Sequence, residues 1–446
     1  MSKIILFFLC ACFLSTNVLA QNAGDNVSRA KAFVDSLAKK EFAKAYDYFG
    51  DELKAKMPSD AMPQIWAQIT GAFGQFQKYG EVVKSTDDKR FTLIGEFEKA
   101  SVGFLVLFDD KGKIRSFRLD ESNTTRKNAP KYETPSYVNT NSFTEREVTV
   151  GAGEWTLPAT LTMPNGKGNF PVVVLVHGSG ANDRDETHIN PANKPFKDLA
   201  WGLASKGIAV LRYEKRSRQY PEKFAVIKKR TVDDETVNDA LAAVRLLRQT
   251  PSIDQKNIYV LGHSLGGMMI PRIGAKDKQI AGLIVFAGTT RPLEDVILEQ
   301  YNYLFSLDGK VAPEEQKFLD AAKKGVAEVK SLTPSAANSD NAIIGFPATY
   351  WLDWKSYNPP LIAKTLEQPM LILQGERDYQ VTMKDFQNWK NALGKNKSAT
   401  FKTYPKLNHL FMPGGGTPSP ADYEKTNHVL PDVIADIADW ILKAKK

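Results

Sequence analysis

Cysteine is almost absent from this chain of 446 residues: there are two, Cys10 and Cys12, both within the first dozen positions. From Phe13 onward there is no thiol to act as a nucleophile, form a disulfide or hold zinc. Histidine is scarce as well, at five residues, so each can be weighed singly as a catalytic base. No apolar run reaches the about 20 residues needed to cross a bilayer. Neither sign of charge prevails strongly: the formal net charge is +8, with acidic and basic residues interspersed. The locally basic runs Arg212–Arg218 and Lys228–Arg230 are closely followed by acidic residues. A solvated surface is expected there, not a nucleic-acid groove.

The first residues have their own pattern. Lys3 precedes the apolar run Ile4–Leu14, and Val18-Leu19-Ala20 precedes Gln21. A basic end, an apolar centre and a small residue before the cut describe a secretory signal peptide over residues 1–20, with a secreted or periplasmic product. The alternative is lipid attachment at Cys12, since Leu9-Cys10-Ala11-Cys12 loosely resembles a lipobox, but the apolar region before it is then unusually short.

Residues 25–120 read as a small α+β domain. Val34, Leu37, Phe42, Ala45, Tyr46, Phe49 and Leu53 recur at helical spacing, and Met62–Phe73 predicts a further helix. Strand-like runs follow at 81–85, 90–97, 102–108 and 114–119, the last two joined by the turn Asp109-Asp110-Lys111-Gly112. The unit resembles small cone-shaped modules that precede secreted bacterial hydrolases, and an accessory, dimerising or positioning role is expected, with a homodimer as one outcome. The polar stretch 121–142, with Pro130 and Pro135, reads as a linker.

From residue 143 an antiparallel pair (145–150 and 155–163) gives way to alternating strands and helices, the mark of a mainly parallel sheet. Strands are expected at 172–176, 208–212, 258–261, 282–286, 370–373 and 400–404. Helices are expected at 195–205, 232–249, 264–274, 382–393 and 423–443. The gap at 289–368 is too long for a loop and reads as a helical cap insertion. Its aromatic tract includes Tyr350, Trp351 and Trp354, which are expected to line a substrate pocket or, alternatively, to pack the cap onto the sheet.

The densest chemical signal is Ile258-Tyr259-Val260-Leu261-Gly262-His263-Ser264-Leu265-Gly266-Gly267. A Gly-x-Ser-x-Gly between a strand and a helix is a nucleophile elbow, in which so sharp a turn tolerates only glycine two residues to either side of the serine. A glycine-rich turn with a surface serine is the plain alternative. A serine hydroxyl needs a base, and that base needs an orienting acid. On this fold the acid and then the histidine follow the serine in the chain. Only His409 and His428 do so; His409, in the loop after the last strand, is the base, while His428 reads as a surface or capping residue near the final helix. Asp378, at the tip of the preceding strand, is the acid, with Glu376, Asp385 and Asp353 as rivals. The oxyanion donors are the amides of Leu265, at the helix start, and Ser179, in the turn His177-Gly178-Ser179-Gly180. The run Asn182–Glu186 lacks the glycine and final glutamate of a calcium loop, so ion pairing within it is expected and no metal or cofactor is called for.

These motifs, together with Asn193-Lys194-Pro195-Phe196 and Leu211-Arg212-Tyr213-Glu214-Lys215-Arg216, resemble bacterial α/β-hydrolase esterases of the EstD type. Glu214 stands where that family usually has aspartate. The resemblance implies a serine carboxylesterase acting on short-chain acyl esters of small molecules. A serine peptidase or acyltransferase uses the same fold and is the alternative.

Overall fold

The computed structural model describes residues 23–57, 59–84, 89–188, 190–339 and 342–444. The leader read at 1–20 lies outside them. The chain divides into two compact units that meet in sequence between Ala129 and Pro130.

In the first unit, β1 (Phe76–Lys84), β2 (Arg90–Phe97), β3 (Ala100–Phe108) and β4 (Ile114–Arg126) form an antiparallel meander in chain order. The helices are Ala23–Ala38, Phe42–Tyr46, Asp51–Lys56 and Ala61–Phe73. The periodic apolar residues 34–53 thus span three helices rather than one. Their common core is phenylalanine-rich, with Phe33, Phe49, Phe97 and Phe104 buried. In the turn after β3, Oδ1 of Asp109 accepts the amides of Lys111 and Lys113, and Gly112 takes φ 69°.

The segment expected as a linker is not an open one. β4 runs on to Arg126, and Tyr132 and Tyr137 belong to the second unit, donating to Asp198 (2.8 Å) and to the Val429 carbonyl (2.8 Å).

The second unit is built on eight strands: β5 (Phe143–Val150), β6 (Leu157–Pro164), β7 (Phe170–Val176), β8 (Ala209–Tyr213), β9 (Ile253–His263), β10 (Gly282–Phe286), β11 (Met370–Gly375) and β12 (Ala399–Tyr404). They lie in the order β12-β11-β10-β9-β7-β8-β6-β5, parallel except where β6 meets β8 and β5. Valine-rich β7 is buried on both faces, as a central parallel strand should be. Its period of two sorts the core: Val172, Val174 and Val176 face one cluster, Val173 and Leu175 the other. On the first side pack helices Asn238–Arg248, Leu265–Lys276 and Met383–Leu393; on the second, Pro195–Ala204 and Pro431–Ala444. The last helix starts at Pro431, eight residues later than the pattern suggested, because 424–430 is irregular and proline suits a first helical turn. Between β10 and β11 the chain inserts helices Leu293–Ser306, Pro313–Ser331, Ala348–Lys355 and Pro359–Ala363. Among the described residues no helix is long and apolar enough to cross a membrane.

The strand order reverses at β7: the chain adds β8 on one side and then β9 on the other. Parallel sheets open a crevice beyond the carboxyl ends of the strands at such a reversal. Gly178 follows β7 there and Ser264 follows β9.

Candidate active site

Ser264 lies between β9 and the helix Leu265–Lys276 with φ 54° and ψ −115°, a left-handed backbone that a non-glycine residue adopts only under constraint. Its amide donates to the Phe286 carbonyl at 2.9 Å, and its own carbonyl accepts from Met268 at 2.9 Å. The neighbouring glycines are demanded by close approach. A Cβ on Gly262 would run into the Gly266 carbonyl, and one on Gly266 into that of Val176. One on Gly267 would meet the Gly288 Cα at 2.8 Å. Leu265, the first residue of the helix, has an N–H with no acceptor inside the helix.

Asp378 and His409 come from the ends of adjacent strands. Nδ1 of His409 lies 2.6 Å from Oδ2 of Asp378, both side chains being buried. The carboxylate is held further: Oδ1 accepts the amides of Gln380 (2.8 Å) and Val381 (2.9 Å), and Oδ2 accepts Nε2 of Gln374 (3.1 Å). The histidine loop is shaped by Asn408, whose Oδ1 accepts the amides of Leu410 (3.0 Å) and Met412 (3.2 Å). The rival carboxylates are engaged elsewhere. Glu376 is exposed and accepts from Thr403, while Asp385 is fully buried under Thr289, Thr290 and Arg291. Asp353 pairs with Arg272. His428 does not cap the last helix; it lies 3.1 Å from Asp198, beneath the ring of Tyr132.

His263 joins these pieces. Its Nε2 is 3.0 Å from the main-chain oxygen of His409, and the two rings are 4.5 Å apart. Its Nδ1 lies 2.8 Å from Oε2 of Glu186, oblique to the ring but a close charge contact. The other oxygen of Glu186 accepts the Gly178 amide at 2.7 Å. Burial opposes charge on both groups, yet each holds the other ionised: His263 lies above its ordinary pKa and Glu186 below its own. His177 is different. Burial pushes it down to about 4, and it packs as a neutral ring between Phe196 and Tyr213. His188, against Tyr423, is likewise pushed down to about 4 by burial and then by the nearby His409.

Gly178 sits against the elbow: a Cβ there would lie 3.1 Å from that of Ser264. With its amide taken by Glu186, the next amide, that of Ser179, has no acceptor among the described residues. The charged loop 182–186 pairs outward rather than within itself. Arg184 reaches Glu147 and Glu214, and Asp185 reaches Lys194 and Arg212. Glu214 therefore does hold a local ion pair.

Of the insertion's aromatics, the three expected at a substrate pocket, Tyr350, Trp351 and Trp354, are in the core. Tyr350 and Trp351 are fully buried and Trp354 nearly so; Tyr350 stacks on Phe346 and meets Trp351 and Trp354 edge to face. Tyr350 donates to Glu235 (2.7 Å) and Trp351 to the Ile343 carbonyl (2.6 Å). Two surface clefts, of about 290 Å³ beside Tyr220 and about 340 Å³ beside Leu361, involve none of Ser264, Asp378 or His409. No cluster of metal-ligating side chains occurs among the described residues.

A strained serine between strand and helix, at the reversal point of a mostly parallel sheet, defines an α/β-hydrolase. The chain matches the alpha/beta hydrolase family over residues 173–422 and belongs to it. It is 37% identical over 415 residues, 92% of this chain and 94% of the relative, to esterase EstD of Thermotoga maritima. Residues 30–117 match a family of proteins of unknown function (DUF3887). Among solved structures it is similar to an esterase of Pyrococcus furiosus (14% identity, 71% of this chain and 97% of that one, TM-score 0.45). Another is Est1E of Butyrivibrio proteoclasticus (16%, 67% and 98%, TM-score 0.42). The assignment rests on the sequence matches and not on these distant likenesses.

Proposed function

We propose that this protein is a serine carboxylesterase that hydrolyses short-chain acyl esters through an acyl-enzyme. The observation that carries the reading is the Asp378–His409 contact at 2.6 Å, in a loop whose main chain is tied to His263, the residue before the elbow serine. Identity to esterase EstD over 92% of the chain supports ester hydrolysis.

Ser264 Oγ adds to the ester carbonyl carbon as its proton passes to Nε2 of His409. Asp378 accepts a hydrogen bond from Nδ1–H, fixing the tautomer and stabilising the imidazolium. The carbonyl electron pair moves to oxygen, and the Leu265 and Ser179 amides receive it; each donor is worth about 3 kcal/mol of barrier. Collapse expels the alcohol, protonated by His409, and leaves an acyl-serine. Water, deprotonated by the same histidine, then releases the acid.

The test is Ser264→Ala in a folded protein, with p-nitrophenyl acetate turnover and fluorophosphonate labelling measured together. Both are expected to vanish, and normal turnover by the variant would end the assignment. Cleavage of peptides in preference to esters would favour a peptidase instead. The leader-like residues 1–20 support export, which a mature N-terminus at Gln21 in the secreted or periplasmic fraction tests.

A further inference from the structure

Gly178 is held by charge on both sides. Its N–H goes to Glu186, and its carbonyl oxygen accepts from Nζ of Lys215 at 2.7 Å. Lys215 follows β8 and is 2% exposed. The same ammonium donates to Oε1 of Glu235 at 2.7 Å, and Oε2 of Glu235 accepts the Tyr350 hydroxyl at 2.7 Å. Glu235 stands in the π-helical turn Asp233–Val237, whose wider winding precedes the helix Asn238–Arg248. Burial raises the Glu235 carboxyl, but Lys215 and Tyr350 outweigh it and hold it below the usual range. Nδ2 of Asn182 adds a weaker bond to the same Gly178 oxygen at 3.2 Å.

The Gly178 carbonyl and the Ser179 N–H belong to one planar peptide, and in a trans peptide they point in opposite directions. An ammonium on the oxygen therefore decides where the N–H aims. It also draws electron density from the nitrogen and makes that N–H a stronger donor. A buried lysine is expensive, and an apolar side chain of similar length would fill the space without desolvating a charge. Nothing in the proposed chemistry uses Lys215 directly.

Resting on the esterase reading above, we infer that Lys215 is a positioning residue of the oxyanion site. Its ammonium, neutralised by Glu235, fixes and polarises the Gly178–Ser179 peptide so that the Ser179 amide faces the oxygen of the tetrahedral intermediate. It contacts the peptide and not the substrate, so its effect falls on the transition state.

The test is the paired variant Lys215→Met with Glu235→Gln, which removes the ammonium without leaving a bare carboxylate. Three quantities are compared with the unmodified protein: kcat and KM for a p-nitrophenyl ester, inhibition by a trifluoromethyl ketone, and inhibition by the product carboxylic acid. The ketone adds to the serine as a tetrahedral oxyanion, whereas the acid does not. The expected result is a kcat about 10–100-fold lower with KM within about threefold. Ketone affinity should fall by about the same factor as kcat/KM while acid affinity holds. A merely structural role would weaken both inhibitors alike or neither. Should the pair fail to fold, Lys215→Gln with Glu235→Gln carries the same comparison. Equal ketone affinity in either folded variant overturns the inference. Fluorophosphonate labelling of the unmodified protein is read separately: its absence would overturn the esterase reading itself, whatever Lys215 does.

Discussion

The ring of His263 carries the main chain of His409: Nε2 of the first lies 3.0 Å from the carbonyl oxygen of the second. Through Glu186 the same ring reaches the Gly178 amide, so one buried ion pair spans the elbow, the histidine loop and the turn after β7. Replacing His263 by Leu leaves the Glu186 charge buried with the Gly178 amide but no cation against it. The expected loss is about 3–5 kcal/mol in urea unfolding, and Glu186→Gln added to it should restore a large part. Additive losses in the double variant would show that the two residues do not act as a pair.

Asp378 receives four hydrogen bonds, and only one is from His409. Asp378→Asn is expected to lower kcat by about 10⁴, because the amide carries no charge to stabilise the imidazolium and favours the wrong tautomer. Gln374→Leu removes one bond to the carboxylate and leaves the base in place, so about a tenfold drop in kcat with unchanged KM is expected. An Asp378→Asn variant that keeps a tenth of the activity would assign the orienting acid elsewhere.

Sheet, elbow and the meeting of Asp378 with His409 were legible because each depends on local pattern: valine runs, glycine spacing, and polar residues at strand ends. The supports of the site were not, since they are made by tertiary contact. Glu186 lies in a run whose charges read as paired among themselves, and chain order excludes His263 as the base without giving it a partner. Gln374 alone left a trace, as a polar residue at the tip of the apolar strand Met370–Gly375. The aromatics of the insertion were legible as a group, but whether a ring meets solvent or core depends on what lies across from it. Tyr350 faces Glu235, more than a hundred residues away.

Trp351 shows the consequence. It is fully buried, with its indole N–H on the Ile343 carbonyl, so its role is packing. Trp351→Ala should cost about 3–5 kcal/mol of stability while leaving KM for short esters within about twofold in the folded fraction. A large change in KM without a change in the unfolding midpoint would return this ring to the substrate site.

His177 gives the acid response a sign. Burial, its largest cause, takes the folded pKa down to about 4 from the ordinary value of 6.5. Between these values the unfolded chain binds a proton that the native ring refuses, so stability is present above pH 6.5 and is lost as pH falls toward 4. The loss attributable to this ring approaches about 3 kcal/mol at the acid end. Glu186 and Glu235 have lowered pKa values, so their contribution is present above the ordinary value of 4.5 and is lost as pH falls below it. The measurement is the urea midpoint at pH 7, 6, 5 and 4.5 for the unmodified protein and for His177→Gln, which carries no titrating ring. The variant should start lower at pH 7 and lose less on acidification, the two curves converging toward the acid side. Parallel curves would mean that His177 takes up its proton equally in the folded and unfolded states.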